Sequence, residues 1–340
     1  MMNLGVLSKK TLIVSCLLLF SYFSGFFTLL IPLASFALAS WIGLKNASKL
    51  GVVFCLFIVA AFSLFLPEQF SDVGNFVLPG FLLLEHFSRF SVFLLGLFYF
   101  IFFFSAGLIL FQSLQKSGDL NTWFLSSFVK LLLLLALFFV LFVSLSPDSL
   151  YNSSVQHLES LLAKIEAAES ASSSGAAMSQ LFGNKHEFSV QFLHYFPALF
   201  AIFCLFTLVV NTLLSRRLFK HLPAFACIKP FSAFRLPDQF IWLLIISGLA
   251  FFAGKYIVGA TFLEIVALNL AITAFALYVL QGLAVALFFI TRVNSVFLRT
   301  AAMIMLVIFF VQVSLFLFLI GIFDVWLNIR ERKVNTKQNL

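Results

Sequence analysis

The stretch NLAITAFALYVLQGLAVALFF, from Asn269 to Phe289, decides the fold class of this chain. It is as apolar and as long as a helix that crosses the hydrocarbon core of a bilayer, which takes about 20 residues. Tyr278, Gln281 and Gly282 lie near its middle, where polar side chains are costly. The stretch therefore predicts a membrane span, and it raises the question of what its polar residues do.

The composition of the whole chain extends this prediction. The 340 residues are 62% hydrophobic and only 10% charged, and the mean hydropathy is +1.11. A soluble domain of this size could not cover so much apolar surface. A helix pairs its own backbone groups in lipid. The alternation of apolar and polar residues that is typical of barrel strands is missing from the sequence. We therefore predict an all-α, polytopic integral membrane bundle of about eight to ten transmembrane helices.

Charge and motif content exclude several functional classes. The net charge of +8 is spread over short loops beside the spans, so membrane topology explains it and a nucleic acid partner is not predicted. The cysteines show no paired spacing, and His186, Glu187 and His194 do not form a zinc hydrolase motif. No catalytic triad, phosphate loop or dinucleotide fingerprint is present. We predict no enzymatic activity, no cofactor and no metal site.

Charge also divides and orients the chain. We predict N-terminal membrane helices over 1–145, an extracytoplasmic amphipathic helix with a Ser/Ala-rich linker over 146–189, C-terminal membrane helices over 190–330 and a basic cytoplasmic tail over 331–340. The loop 216–238 carries five basic residues and one acidic residue, which places it in the cytoplasm. The expected location is the bacterial inner (cytoplasmic) membrane, with the lipid bilayer as a partner.

Two stretches are expected to be irregular. Residues 11–43 are too long for one span and contain Pro32, so they predict a tight hairpin or a kinked pair of helices. Three single crossings over 240–253, 258–290 and 301–323 would leave the basic tail outside. Either the block 258–290 includes an extra short or re-entrant helix, or the tail breaks the charge rule. We expect the tail to lie inside and the last third of the chain to be irregular.

Two interpretations remain open for the polar residues of the opening stretch. On a helix, Tyr278 and Gln281 lie on one face, whereas Asn269 lies on another. These three residues either hydrogen-bond across packed helices or contact a ligand in a cavity. Gly282 and Ala286 form a pair of small residues one turn apart that allows a second helix to approach closely.

The end of the last span, LIGIFDVWLNIR, carries a carboxylate in an apolar setting. Asp324 has no cation three or four residues further on, so a buried Asp324 needs a partner from another element. Arg235 is the natural candidate if both residues lie at the cytoplasmic face. Trp326 and Arg330 are one turn apart and are interpreted as an interfacial anchor pair. The alternative is an exposed carboxylate at the helix exit.

Three segments of the C-terminal half, RLPDQFIWLL, LYVLQGLAV and GIFDVWLNIR, resemble the YybS-like family of uncharacterised bacterial membrane proteins over about residues 231–333. That family is distantly similar to the substrate-binding subunits of energy-coupling-factor vitamin transporters. The resemblance implies capture of a small molecule near the outer face and docking to a transmembrane partner, with the ATPase and coupling subunits on separate chains. It also implies that small residues of the first helix dock, for which Ser35 and Ala39 are the candidates.

Two functional hypotheses from different classes follow. In the first, the chain is a small-molecule (vitamin or metabolite) capture or transport subunit, with Asn269, Tyr278 and Gln281 as ligand contacts. In the second, it is a structural or assembly protein of the cell envelope without a ligand cavity. Polar groups that converge on an enclosed void favour the first, and pairwise bonds across dry interfaces favour the second.

Overall fold

The computed structural model describes residues 4–24, 27–65, 89–116, 119–145, 150–169, 184–226, 228–258 and 260–330. Within these ranges the regular elements are helices, and no strand is formed. The all-α fold class is confirmed. Long apolar segments become helices because a helix pairs its interior backbone groups within itself and needs no neighbour to do so.

The first half of the chain contains a divided apolar stretch. A 3-10 turn, Thr28–Leu30, precedes the second helix, and Pro32 lies in the first turn of that helix, where proline is tolerated. The described residues of the range 11–43 thus form two helices rather than one. The helices of this half are α1 (Leu4–Ser24), α2 (Ile31–Ile42), α3 (Leu44–Phe65), α4 (Arg89–Lys116), α5 (Leu120–Leu145) and α6 (Leu150–Glu169).

The helices of the second half are α7 (Lys185–Leu218), α8 (Pro223–Ala226), α9 (Phe240–Phe252), α10 (Thr261–Ile290), α11 (Val296–Ile308) and α12 (Phe310–Leu327). A 3-10 turn, Phe231–Ala233, follows α8, and a π-helical turn, Ala253–Val258, follows α9. Of the two alternatives, the extra helix is not formed within the described residues 260–290, where α10 runs unbroken. The irregularity falls at Phe309, which separates α11 from α12.

Six helices of the described residues are long and apolar enough to cross a membrane. Eight to ten were expected for the whole chain, and the described residues also contain two shorter apolar helices, Thr28–Ile42 and Val296–Ile308. The six are Phe93–Lys116, Leu120–Leu141, Lys185–Leu218, Phe240–Ile257, Thr261–Ile290 and Phe310–Leu327.

The chain divides into two compact units that are interleaved in sequence. Unit 1 comprises Met1–Lys116, Leu125–His194 and Phe206–Lys220, and unit 2 comprises Ser117–Phe124, Tyr195–Leu205 and His221–Leu340. In unit 1, α2 and α4 are in backbone contact, because a Cβ atom on Gly107 would overlap the carbonyl oxygen of Pro32. The ring of Phe36 fills the neighbouring space, with its centroid 5.4 Å from that of Phe111.

Unit 2 is built on the pair α10 and α12. A Cβ atom on Gly282 would overlap the backbone of Leu317, and one on Gly321 would overlap the carbonyl oxygen of Tyr278. The two glycines face each other's helices, so the contact is reciprocal. Small residues allow this approach, which increases van der Waals contact between helices that gain no hydrophobic driving force in lipid.

Candidate functional site

A buried ion pair joins α12 to the turn that follows it. The guanidinium of Arg330 donates to both oxygens of Asp324, with Nη2–Oδ2 at 2.6 Å and Nε–Oδ1 at 3.4 Å. The side chains are 10% and 2% exposed, respectively. Gln281 Nε2 of α10 donates a further bond to Asp324 Oδ2 at 3.3 Å. The carboxylate is therefore neutralised and hydrogen-bonded, which a buried charge requires.

The local backbone explains how Arg330 reaches Asp324. Leu327 is the last residue of α12, and Asn328 adopts φ +46°, in the left-handed region. Its N–H donates to the carbonyl oxygen of Asp324 at 3.2 Å. Asparagine tolerates this conformation at a helix end better than most residues. The turn directs the chain back toward the helix, so residues six positions apart become ion-pair partners.

This geometry corrects the expected partner of Asp324. The cation is Arg330 rather than Arg235, because the helix ends before Arg330. Arg235 instead donates to the carbonyl oxygen of Val325 at 3.3 Å and lies 3.6 Å from the exposed carboxylate of Asp238. The anchor-pair interpretation is wrong for Arg330, which is buried. Trp326 is 63% exposed, as an interfacial side chain would be.

Side chains of the same region also bond to the backbone of residues 232–236, which run from the 3-10 turn Phe231–Ala233 toward α9 and whose peptide groups have few partners of their own. Arg330 Nη1 donates to the carbonyl oxygens of Ser232 and Phe234, at 2.9 and 3.0 Å. The side-chain oxygens of Gln281 and Asn121 accept bonds from the next backbone N–H groups, Leu236 at 3.2 Å and Arg235 at 2.9 Å. We use the name clamp for the three side chains that bond to this segment, together with the carboxylate that Arg330 and Gln281 share: Asn121, Gln281, Arg330 and Asp324.

Asn269 has a comparable role at a proline. Pro197 lies inside α7 and interrupts the helical bonding around it. Asn269 Oδ1 accepts a bond from the N–H of Ala198, the next residue, at 2.7 Å, while its Nδ2 donates to Ile265 at 2.8 Å. A side chain from a neighbouring helix thus satisfies a backbone group beside the proline, as in other membrane helices.

Tyr278 differs from Gln281 and Asn269. It is 1% exposed, and its hydroxyl has no hydrogen-bond partner in the described structure. Its ring contacts Phe318 edge-on at 6.3 Å between centroids. Of the three predicted ligand contacts, two have protein partners at both ends of the amide, and only Tyr278 keeps a free polar atom.

We expect Tyr278→Phe to leave stability unchanged or to raise the free energy of unfolding by up to about 1 kcal/mol. The variant removes a buried hydroxyl whose desolvation nothing offsets. Thermal unfolding of the purified protein in detergent measures this. A loss greater than about 1 kcal/mol would mean that the hydroxyl has a partner in the folded protein.

The predicted small-residue pairs are placed as follows. Ser35 and Ala39 are 0% and 1% exposed, and the Oγ of Ser35 lies under Gly107. They contribute to the packing of unit 1 rather than to an exposed docking face. Gly282 contacts α12 directly, whereas Ala286 is only half-buried.

A second polar feature lies in unit 1, on the part of α7 that reads TLVVNTLLS. Four side chains there are at most 2% exposed and carry an oxygen without a hydrogen-bond partner. Three of them, Thr207, Asn211 and Ser215, are spaced four residues apart and therefore share one face of the helix. We call this set the α7 polar face, and it comprises Thr207, Asn211, Thr212 and Ser215.

The hydroxyls of the α7 polar face behave unlike others in this chain. Thr273 and Thr291 donate to the carbonyl four residues earlier, both at 2.8 Å, which is the usual solution for a helical threonine. Thr207, Thr212 and Ser215 make no such bond. Their oxygens are therefore available to another group.

Asn211 connects the α7 polar face to the break between α1 and α2. Its Nδ2 donates to the carbonyl oxygens of Leu29, in the 3-10 turn, at 3.1 Å and of Thr207 at 2.8 Å. Both amide hydrogens are used, which fixes the orientation of the amide and leaves Oδ1 free. The sequence shows the four-residue spacing of Thr207, Asn211 and Ser215. It did not predict a site there, because the residues around them are apolar.

Clusters of conventional metal ligands are not present in the part of the chain that is described: His, Cys, Asp and Glu do not gather there in groups of three or more.

Comparison with known proteins places the chain in a family. The model of the family described as "Predicted membrane protein (DUF2232)" matches residues 77–325, and the chain belongs to that family. No curated protein and no solved structure matches the chain significantly.

Proposed function

We propose that this family member is a subunit of a membrane transport system and that it captures a small solute at the α7 polar face. The observation that carries the proposal is the set of buried oxygens without partners on Thr207, Asn211, Thr212 and Ser215. A buried hydroxyl or amide oxygen without a hydrogen bond costs about 1–3 kcal/mol. Several in adjacent turns are expected where a ligand supplies the missing bonds.

The surroundings of the α7 polar face support this proposal. Asn211 donates to the carbonyl oxygen of Leu29, which lies in the 3-10 turn Thr28–Leu30 before α2. Substrate and ion sites of membrane transporters commonly lie at discontinuous helices, because irregular backbone offers polar groups at membrane depth. The resemblance of residues 231–333 to the YybS-like family, and through it to vitamin-capturing subunits, points to the same class.

The second candidate is a structural or assembly protein of the cell envelope, and the clamp favours it. Gln281 and Asn269 form pairwise bonds with protein groups, so neither amide is left to contact a ligand in this structure. In this candidate function, Gln281 and Asn269 serve helix packing. The capture proposal therefore moves its solute contacts from α10 to α7.

Native mass spectrometry of the chain, purified gently from its own host, separates the two candidates. We expect a non-covalent small-molecule adduct that is lost in the double variant Thr207→Val/Ser215→Ala. Thr273→Val is the matched control, since it removes a helical threonine hydroxyl outside the α7 polar face, and it should retain the adduct. A chain that carries only lipid and co-purifying envelope proteins would contradict the capture subunit and support the structural one.

A further inference from the structure

We propose that unit 1 binds the phosphate of an anionic phospholipid at Lys130, with Ser113 and Lys116 as its neighbours. The proposal is independent of solute capture, because it shares no residue with the α7 polar face. Lys130 is the eleventh residue of α5, about 15 Å along the helix axis from the first. Its side chain therefore starts well inside an apolar span, where a charge without a partner is costly.

The hydrogen bond of Lys130 shows where its ammonium group lies. Nζ donates to Oγ of Ser113 on α4 at 2.8 Å. Ser113 is 1% exposed and lies one turn before Lys116, the last residue of α4. A lysine that only snorkels extends its charge into water, whereas this ammonium group stays beside a buried hydroxyl. An ammonium group has three donors, so two of them remain for another acceptor.

The charges around Lys130 favour an anion as that acceptor. Ser113 and Lys116 are three residues apart and therefore share a face of α4. The ammonium groups of Lys116 and Lys130 are close enough to interact electrostatically. Among the described residues, neither lysine forms an ion pair with a carboxylate. Asp119 instead accepts bonds from two backbone N–H groups in the first turn of α5. A phosphate would accept bonds from both lysines and offset their repulsion.

The surface next to Lys130 identifies a lipid as the source of the phosphate. Leu133, Leu137 and Leu141 follow at helical spacing on the same side of α5. They are 66%, 53% and 38% exposed, and in a bilayer such side chains contact acyl chains. A phospholipid bound there places its chains along the three leucines and its phosphate at Lys130. A soluble phosphate would gain nothing from the leucines.

The predicted orientation of the chain supports an anionic lipid. With residues 146–189 outside, α5 begins on the cytoplasmic side of the membrane. The cytoplasmic leaflet has a negative surface potential because of its anionic lipids, and basic pockets between helices on that side bind their headgroups. Phosphatidylglycerol, which carries one negative charge on its phosphate, is therefore the probe to use.

The test is native mass spectrometry of the full chain, titrated in one detergent with phosphatidylglycerol or with phosphatidylcholine. We expect the unmodified chain to bind the first phosphatidylglycerol at least about tenfold more tightly than phosphatidylcholine, the usual effect of charge-assisted hydrogen bonds. Lys130→Met should abolish this preference, whereas Lys130→Arg, which keeps the charge, should retain it. Lys49→Met is the matched control, since it removes an exposed lysine of unit 1, and it should leave the preference unchanged.

Folding is checked by circular dichroism in phosphatidylcholine micelles. The Tm of Lys130→Met should equal or exceed that of the unmodified chain, because the variant removes a charge from an apolar span. Lys130→Gln is the second variant. It keeps a donor for Ser113 but carries no charge, so it should lose the preference for phosphatidylglycerol as Lys130→Met does.

Three results would overturn the proposal. The first is an unmodified chain that binds both lipids equally, whatever the variants do. The second is an equal loss of preference in Lys130→Met and Lys49→Met, which would indicate a general attraction to the net charge of the protein. The third is displacement of phosphatidylglycerol by inorganic phosphate at equal concentration, which would identify a soluble anion as the occupant.

Discussion

Arg330→Met should lower the free energy of unfolding by about 3–5 kcal/mol, the usual cost of removing one partner of a buried ion pair. The variant keeps an apolar side chain of similar length but leaves the carboxylate of Asp324 buried without its cation. The carbonyl oxygens of Ser232 and Phe234 lose their donor at the same time. Thermal or denaturant unfolding in detergent, followed by circular dichroism, measures the loss.

An exposed ion pair provides the control. Lys185 and Glu166 also form a salt bridge, but their side chains are 38% and 36% exposed. Lys185→Met should therefore cost less than about 1 kcal/mol. Replacing both partners, as in Asp324→Leu/Arg330→Met, should recover much of the loss, because no buried charge remains. Equal effects of Arg330→Met and Lys185→Met would contradict a buried ion pair in the clamp.

Gly282→Ala should destabilise unit 2 by about 1–3 kcal/mol or more, and Gly321→Ala should do the same. The added methyl group would overlap backbone atoms of the facing helix, Leu317 in one case and Tyr278 in the other. Backbone cannot move aside as a flexible side chain can, so α10 and α12 have to separate along their contact. Unfolding in detergent again measures the effect.

Gly248 is the matched control for both glycines. It lies within α9, and a Cβ atom there would have nothing within 4 Å. Gly248→Ala should stabilise the protein by about 0.5–1 kcal/mol, since alanine loses less backbone freedom in a helix than glycine does. If the three alanine variants behave alike, α10 and α12 are not in the close contact described.

Hydropathy and small-residue spacing predicted much of the fold. The length of the apolar runs was sufficient to identify a helical membrane protein, because lipid leaves the backbone few other solutions. Gly282 was predicted to face another helix because it forms a pair of small residues with Ala286. The division of the last apolar block at Phe309 was not predicted, since no proline or glycine marks it.

The clamp was harder to predict than the spans. A search for partners three and four residues away assumes that the helix continues, and the left-handed turn at Asn328 makes the sixth residue the partner instead. Asn121 was missed because its bond to the backbone of Arg235 joins residues 114 positions apart. Long-range pairs of this kind leave no periodic signal in one sequence.

The position of Arg330 along the chain has a consequence for biosynthesis. Translation releases residues 232–236, Gln281 and Asp324 before Arg330, so the guanidinium that neutralises Asp324 is the last component of the clamp to become available. The clamp therefore cannot be completed before Arg330 has left the ribosome, however early the other members are in place.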